Sequence, residues 1–183
     1  VFLLLCIASL FFASSSSSSV AFEPVFNPTL KITKASGPIE IDGDLQDPGW
    51  AQASAARQFV ERHPGENLPP QLETYVYVTY DRDNLYVAFI CEDDPARIRA
   101  SMCQRDNFFT DDEVTVFIDT YGEAAWAYQL SVNPYGVQKD YLWSTVTGSD
   151  IGYNLVWESA AQITDSGYTV EMAVPFASLR FPS

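Results

Sequence analysis

Positive charge is scarce in this chain: Lys and Arg together number 10 against 24 Asp and Glu, a formal net charge of −14. A field of that sign repels nucleic acid and anionic membrane, and it favours divalent cations or neutral ligands. The single histidine, His63, has no serine or cysteine partner pattern around it, so a hydrolytic triad has no starting point. The three cysteines form no C-x-x-C and no His/Cys spacing, which leaves out a zinc or dithiol redox centre. Nucleophile elbow, phosphate-binding loop and dinucleotide fingerprint are missing as well. No apolar run is long enough to span a bilayer as a helix.

Apolar residues, in contrast, are plentiful. At 183 residues and 47% hydrophobic content the chain can build one domain with a core. It opens VFLLLCIASLFF, about the length of a secretory h-region, followed by the small and polar ASSSSSSVA. Ser19, Val20 and Ala21 make a small-x-small cleavage site before Phe22, so residues 1–21 are read as an N-terminally incomplete signal peptide. Leu5 before Cys6 argues against a lipoprotein anchor. The expected location is therefore outside the cytoplasm: periplasm, cell surface, outer membrane or medium. Cys91 and Cys103 remain after processing and could pair, but Cys91 lies in an apolar strand where a buried free thiol is ordinary, and unpaired is the preferred reading.

Residues 22–38 read as a lead-in carrying Pro24 and Pro28, with short strand candidates at 31–33 and, beyond the turn Ser36-Gly37-Pro38, at 39–42. In DGDLQDPGWAQA, Asp47 can cap a short helix that starts at Pro48, and Trp50 is expected to plug the end of the core. Asp42, Asp44 and Asp47 are read as a solvated turn before a calcium loop, since most of the EF-hand spacing is absent. Strands are predicted over 74–80 and 85–92, joined by the polar turn Asp81–Asn84, and Tyr75, Tyr77 and Tyr86 are read as ordinary strand aromatics. One or two helical turns fit 96–102. Further strands are expected at 125–133, with Trp126, Tyr128, Leu130 and Val132 on one face, and at 137–143, with residues 145–154 as loop. A last pair is expected at 156–163 and 168–174, followed by a helical turn at 176–179.

The organising stretch is RDNFFTDDEVTVFIDTYG, residues 105–122. Asp106, Asp111, Asp112 and Glu113 crowd one end, and Val114, Val116 and Ile118 then alternate with Thr115, Phe117 and Asp119. This predicts a half-buried strand at the centre of a sheet, led in by carboxylates. Many short strands with turn signals between them predict an all-β, two-layer antiparallel β-sandwich of the immunoglobulin or jelly-roll kind, with short helical pieces.

Taken as an ordered set, Ile41-Asp42-Gly43-Asp44-Leu45 with Trp50, Tyr80-Asp81 with Asn84–Val87, Arg105-Asp106, DEVTVFID, Val132–Gly136 and Gly167–Glu171 resemble the carbohydrate-binding module family 9-like fold over residues 39–183. Arg105-Asp106, Val132-Asn133-Pro134 and the ending Pro175 to Phe181 resemble the bacterial subgroup in which this module precedes an outer-membrane barrel. The resemblance implies further strands after Ser183, a glycan end held between two tryptophans, and structural calcium nearby. The first tryptophan falls near Phe109, an acidic contact becomes Thr115, an arginine becomes Ser131, Asn133 is kept, and the second tryptophan lies beyond Ser183.

The function expected is binding without catalysis. Asp111, Asp112 and Glu113 sit together at one strand end, which suits a cation or solvent rather than an acid and base on opposite sides of a glycosidic bond. A sugar site needs an aromatic platform and planar polar partners. Phe109, Trp126 and Trp143 are the candidate platforms; Asn133 and Arg105 are the candidate polar contacts, with Arg105 and Asp106 read first as an internal ion pair. Asp111 and Asp112 are the candidate ligands for a structural Ca²⁺. The expected partners are a polysaccharide or oligosaccharide and the protein's own barrel or hydrolase domain, not nucleic acid. Two alternatives stand beside this: an interaction domain without a small ligand, and a haem-binding sandwich using His63, Met102 or Met172.

Overall fold

The computed structural model describes residues 22–25 and 27–182, so the predicted leader at 1–21 lies outside the described residues. The strands, in chain order, are β1 (Thr33–Lys34), β2 (Ser54–Ala56), β3 (Thr74–Tyr80), β4 (Asn84–Glu92), β5 (Val114–Ile118), β6 (Trp126–Val132), β7 (Gln138–Ser144), β8 (Gly148–Asp150), β9 (Glu158–Thr164) and β10 (Gly167–Pro175). They form two sheets. The larger runs β1-β3-β4-β10-β9 with β2 also on β3, and the smaller runs β5-β6-β7-β8. Only the short β1–β3 pairing is parallel among the described strands. The all-β, two-layer sandwich is thus observed.

Alternation explains the core. Val76, Val87, Phe89, Val170, Met172 and Val174 point inward from the larger sheet and meet Val114, Tyr128, Leu130 and Val132 from the smaller one. Fully burying an aliphatic side chain of this kind stabilises by about 1.5–3 kcal/mol. The β9–β10 hairpin turns at Gly167, whose φ is 143° and where an added Cβ would stand 1.9 Å from the Cys91 carbonyl oxygen. No other residue type fits there. Cys91 and Cys103 are both free, and burial pushes the Cys91 thiol up to about 11.

The outer face of the larger sheet is covered by the segment before β2. Glu171 on β10 is buried and accepts hydrogen bonds from the Trp50 indole N–H at 2.7 Å, the Gly43 N–H at 2.8 Å and the Asp42 N–H at 3.1 Å. Burial raises the Glu171 carboxyl above its ordinary value, against the pull of these donors. Those bonds explain why the expected strand at 39–42 does not form: its backbone donors serve a side chain instead of a ladder. Pro48–Gln52 makes a 3₁₀ turn and Trp50 packs edge-on against Tyr86 at 6.4 Å, as part of a second apolar cluster with Ala88 and Ala173. Trp50 therefore seals the outside of a sheet rather than the end of the core. Asp47 stands at the N-cap position but accepts from Glu40 N–H at 2.6 Å, not from the turn it precedes.

Several expectations change. The acid-led strand is β5, and among the described residues it is the edge of the smaller sheet, not its centre; the central strands there are β6 and β7. Its alternation misleads because an edge strand with one buried face reads the same as an inner one. β2 and β8, each three residues long, escaped notice because such short strands carry no period. Residues 96–102 make no helix, only the turn closed by Arg97 N–H on the Asp94 carbonyl at 2.8 Å.

Candidate functional site

β6 connects two chemically different places. Past its C-terminal end, Asn133 is fully buried and its amide is saturated. Its Nδ2 donates to the Ser101 carbonyl at 2.9 Å and to Asp111 Oδ2 at 2.8 Å, while Oδ1 accepts from Tyr135 N–H at 3.1 Å and Val137 N–H at 2.9 Å. Those four bonds are the capacity of an amide side chain, so Asn133 has no group left for a ligand. The candidate contact is a structural residue that ties the loop before β5 to the β6–β7 turn.

Arg105 is similarly engaged. Its Nε donates to Asp140 Oδ1 at 2.9 Å, Nη1 to Gln138 Oε1 at 2.6 Å and Nη2 to the Leu155 carbonyl at 2.8 Å, with a further ion pair from Nη2 to Asp140. Asp140 is fully buried and also accepts from Leu155 N–H at 2.5 Å. The internal ion pair exists, but its principal partner is Asp140; Asp106 is 3.9 Å away. Asp106 has its own task. At φ 67° it places its N–H on the Gln138 carbonyl and its Oδ1 on the Asp140 N–H, completing the edge of β7 that the short β8 does not reach.

Asp111 and Asp112 do not fit a calcium site. Asp111 accepts from Ser101 N–H at 2.9 Å, Ser101 Oγ at 2.7 Å and Asn133, and Asp112 accepts from Arg99 N–H at 2.8 Å and the Arg99 guanidinium at 2.9 Å. A cation there would displace a guanidinium and an amide already bound, and the two carboxylates face different partners. Among the described residues no three His, Cys, Asp or Glu side chains are grouped to hold a metal ion. Partial burial disfavours the Asp111 carboxylate, yet Asn133 and Ser101 outweigh it and hold this carboxyl below its ordinary value. The haem ligands fare no better: Met172 is in the core, Met102 is 76% exposed, and His63 lies on the exposed loop after β2.

On the outer face of the smaller sheet, Thr115 and Ser131 share a hydrogen bond of 2.8 Å. Beside them Phe108 is buried, with the Lys139 ammonium 4.3 Å from its ring centre and paired to Glu113. Further along that face Phe117 meets Trp143 edge-on at 6.3 Å. Phe109 is 77% exposed, and among the described residues no aromatic ring packs on it.

At the N-terminal end of β6 the picture reverses. Trp126 belongs to a run of rings, Tyr121–Trp126 at 5.2 Å, Trp126–Tyr128 at 5.3 Å and Tyr128–Tyr153 at 5.9 Å. With Leu142, Glu123 and Arg180 they line an open cleft of about 480 Å³. Neither Glu123 nor Arg180 forms an ion pair among the described residues. The backbone under Arg180 is held in place: its N–H donates to Tyr128 Oη at 3.0 Å and its carbonyl accepts from Thr120 Oγ1. Burial and the neighbouring Tyr128 raise the Tyr153 phenol above its ordinary value, with the Arg180 charge acting against them. An aromatic wall with a few unpaired polar groups is the composition of a small-ligand site, and its volume falls within the usual range of roughly 300–1,000 Å³.

The profile of the Carbohydrate family 9 binding domain-like family matches residues 41–183. The chain belongs to this family. Solved structures agree on the fold. A carbohydrate-binding module family 9 domain from Caldicellulosiruptor kristjanssonii in complex with cellotriose superposes with a TM-score of 0.56 at 18% identity, over 83% of this chain and 69% of that one. A carbohydrate-binding module family 9 domain from Caldicellulosiruptor kristjanssonii in complex with glucose gives a TM-score of 0.55 at 18% identity, over 82% of this chain and 70% of that one. A putative carbohydrate-binding protein from Bacteroides uniformis ATCC 8492 gives 0.62 at 10% identity, over 82% and 75%. No curated protein matches the chain significantly.

Within this family 9-like module, then, the motif residues Arg105, Asp106 and Asn133 gather at the closed end of β6, and of the candidate platforms only Trp126 borders a cleft. Trp143 and Phe109 stand apart from it. Tyr121, Glu123, Tyr153 and Arg180 were missed. Arg180 sat inside the Leu-Arg-Phe ending, where it read as part of a motif, and Tyr121 and Tyr153 lie in turns whose spacing gives no hint that they meet.

Proposed function

We propose that this domain is a non-catalytic glycan-binding module, holding an oligosaccharide in the cleft formed by Tyr121, Trp126, Tyr128 and Tyr153. The observation that carries this reading is the cleft itself, on a scaffold whose solved neighbours bind cellotriose and glucose. The C–H face of a pyranose packs against an indole or phenol ring, and the hydroxyl rim takes hydrogen bonds from tyrosine hydroxyls and a carboxylate such as Glu123. The wider setting belongs to the same proposal. The apolar leader followed by a small-x-small site supports export, and the ordered motifs through Phe181 support a bacterial protein in which the module serves an outer-membrane barrel or a hydrolase in polysaccharide breakdown.

Affinity electrophoresis of the protein through gels containing plant or bacterial polysaccharides tests the binding. Retardation on at least one glycan, lost in Trp126→Ala, is the expected result. Free migration in every gel would sink it and favour a second reading, an interaction domain for a partner protein. That reading has its own observation: the free edge of β5 borders a gap of about 460 Å³ between the sheets, walled by Phe59, Leu72, Val76, Phe89 and Val114.

A further inference from the structure

We propose that the aromatic cleft is selective for an acidic sugar, a uronic acid residue whose carboxylate is received by Arg180; this rests on the glycan-binding reading above. The chain is poor in positive charge, and the basic side chains around the smaller sheet are committed: Arg99 to Asp112, Arg105 to Asp140, Lys139 to Glu113. Arg180 is not. Its side chain makes no ion pair or hydrogen bond among the described residues, although its backbone is pinned at the rim of the cleft by Tyr128 and Thr120. A fixed Cα with a free guanidinium is a receptor part, not a loose surface charge.

The chemistry selects the ligand class. A guanidinium is a planar fork that binds a carboxylate through two parallel hydrogen bonds, whereas a neutral hydroxyl uses one arm of it. The ring that carries the carboxylate must have an apolar face to lie against Trp126 and Tyr121, which a pyranose supplies and a simple dicarboxylate does not. Glu123, also without an ion pair among the described residues and also lining the cleft, repels the ligand's carboxylate and accepts its hydroxyls, so the two charges together fix which way round the sugar sits. Against an overall charge of −14, the Arg180 guanidinium gives an anion a local point of attraction at the rim of this cleft.

The test is titration of the intact chain with acidic trimers, one of glucuronic and one of galacturonic acid, against their methyl esters, which keep the ring and lose the charge, with cellotriose as the neutral reference. The expected result is that one acid trimer binds about tenfold more tightly than its ester at low salt, that the ratio shrinks as salt is raised, and that Arg180→Gln brings it to about one. Arg180→Lys should restore only part of it, since it keeps the charge and loses the fork. An unchanged melting temperature for Arg180→Gln confirms that the fold is intact. Equal binding of acid and ester by the unaltered protein, or a ratio that survives Arg180→Gln, overturns the selectivity while leaving glycan binding in place. Binding of no sugar, acidic or neutral, removes both.

Discussion

The two ends of β6 use the same kinds of side chain to opposite purposes. At the Asn133 end, Arg105, Asp106, Asp111, Asp140 and Asn133 are satisfied by one another and by nearby backbone groups. At the Trp126 end, an arginine and a glutamate face a cleft without satisfying each other. The lesson is that polar residues which announce a family in sequence can do so because the scaffold depends on them. A side chain with every hydrogen bond filled holds the fold, and only one with capacity to spare can hold a ligand.

The largest effect that would break this comparison is at Asp140. Asp140→Ala leaves the partly buried Arg105 and the Leu155 N–H without their acceptor and should lower stability by about 3–5 kcal/mol in a denaturant melt. A fall below about 1 kcal/mol would mean that the network is ornamental. Next comes Asn133→Ala, which strips Asp111, Ser101 and two turn N–H groups of partners and should destabilise by about 2–3 kcal/mol. If this variant instead kept its stability and lost glycan binding, the assignment of the two ends would be reversed.

A pH titration sharpens the same point. The folded Asp111 carboxyl lies below its ordinary value of 3.8, so the stability it contributes is present above that value and is lost as pH falls through 3.8 and then through the lower folded value. Asn133→Ala should flatten this acid limb of the stability profile, and an unaltered limb would show that Asn133 does not hold the carboxylate. Smallest of all is Phe109→Ala. The ring is 77% exposed, so its removal should move stability by no more than about 0.5 kcal/mol. Because no other ring among the described residues frames it, glycan retardation should also be unchanged; a marked loss would return the site to the loop before β5.

Much of the scaffold was legible in the order of residues. The strands β3, β4, β6, β7 and β10 carry long alternation, and period two survives any tertiary context because one face is always buried. Gly167 and the turn at Asn133–Gly136 were readable for the same local reason: they need particular backbone conformations. The place of β5 in its sheet was not readable, since pairing on one side or two depends on partners far away in the chain. Nor was the accessibility of the site residues, and Asn133 and Trp126 looked equally eligible until their surroundings were known.

By itself, then, the sequence determined the two-layer β architecture, its acidic character and its family, because periodicity, turn chemistry and charge are properties of neighbouring residues. Only the tertiary structure decided that Arg105 closes on Asp140, that β5 stands at an edge, and that Tyr121, Trp126, Tyr153 and Arg180 share one cleft. Those outcomes depend on which distant groups satisfy one another, and hydrogen-bond capacity is settled only when the partners meet in space.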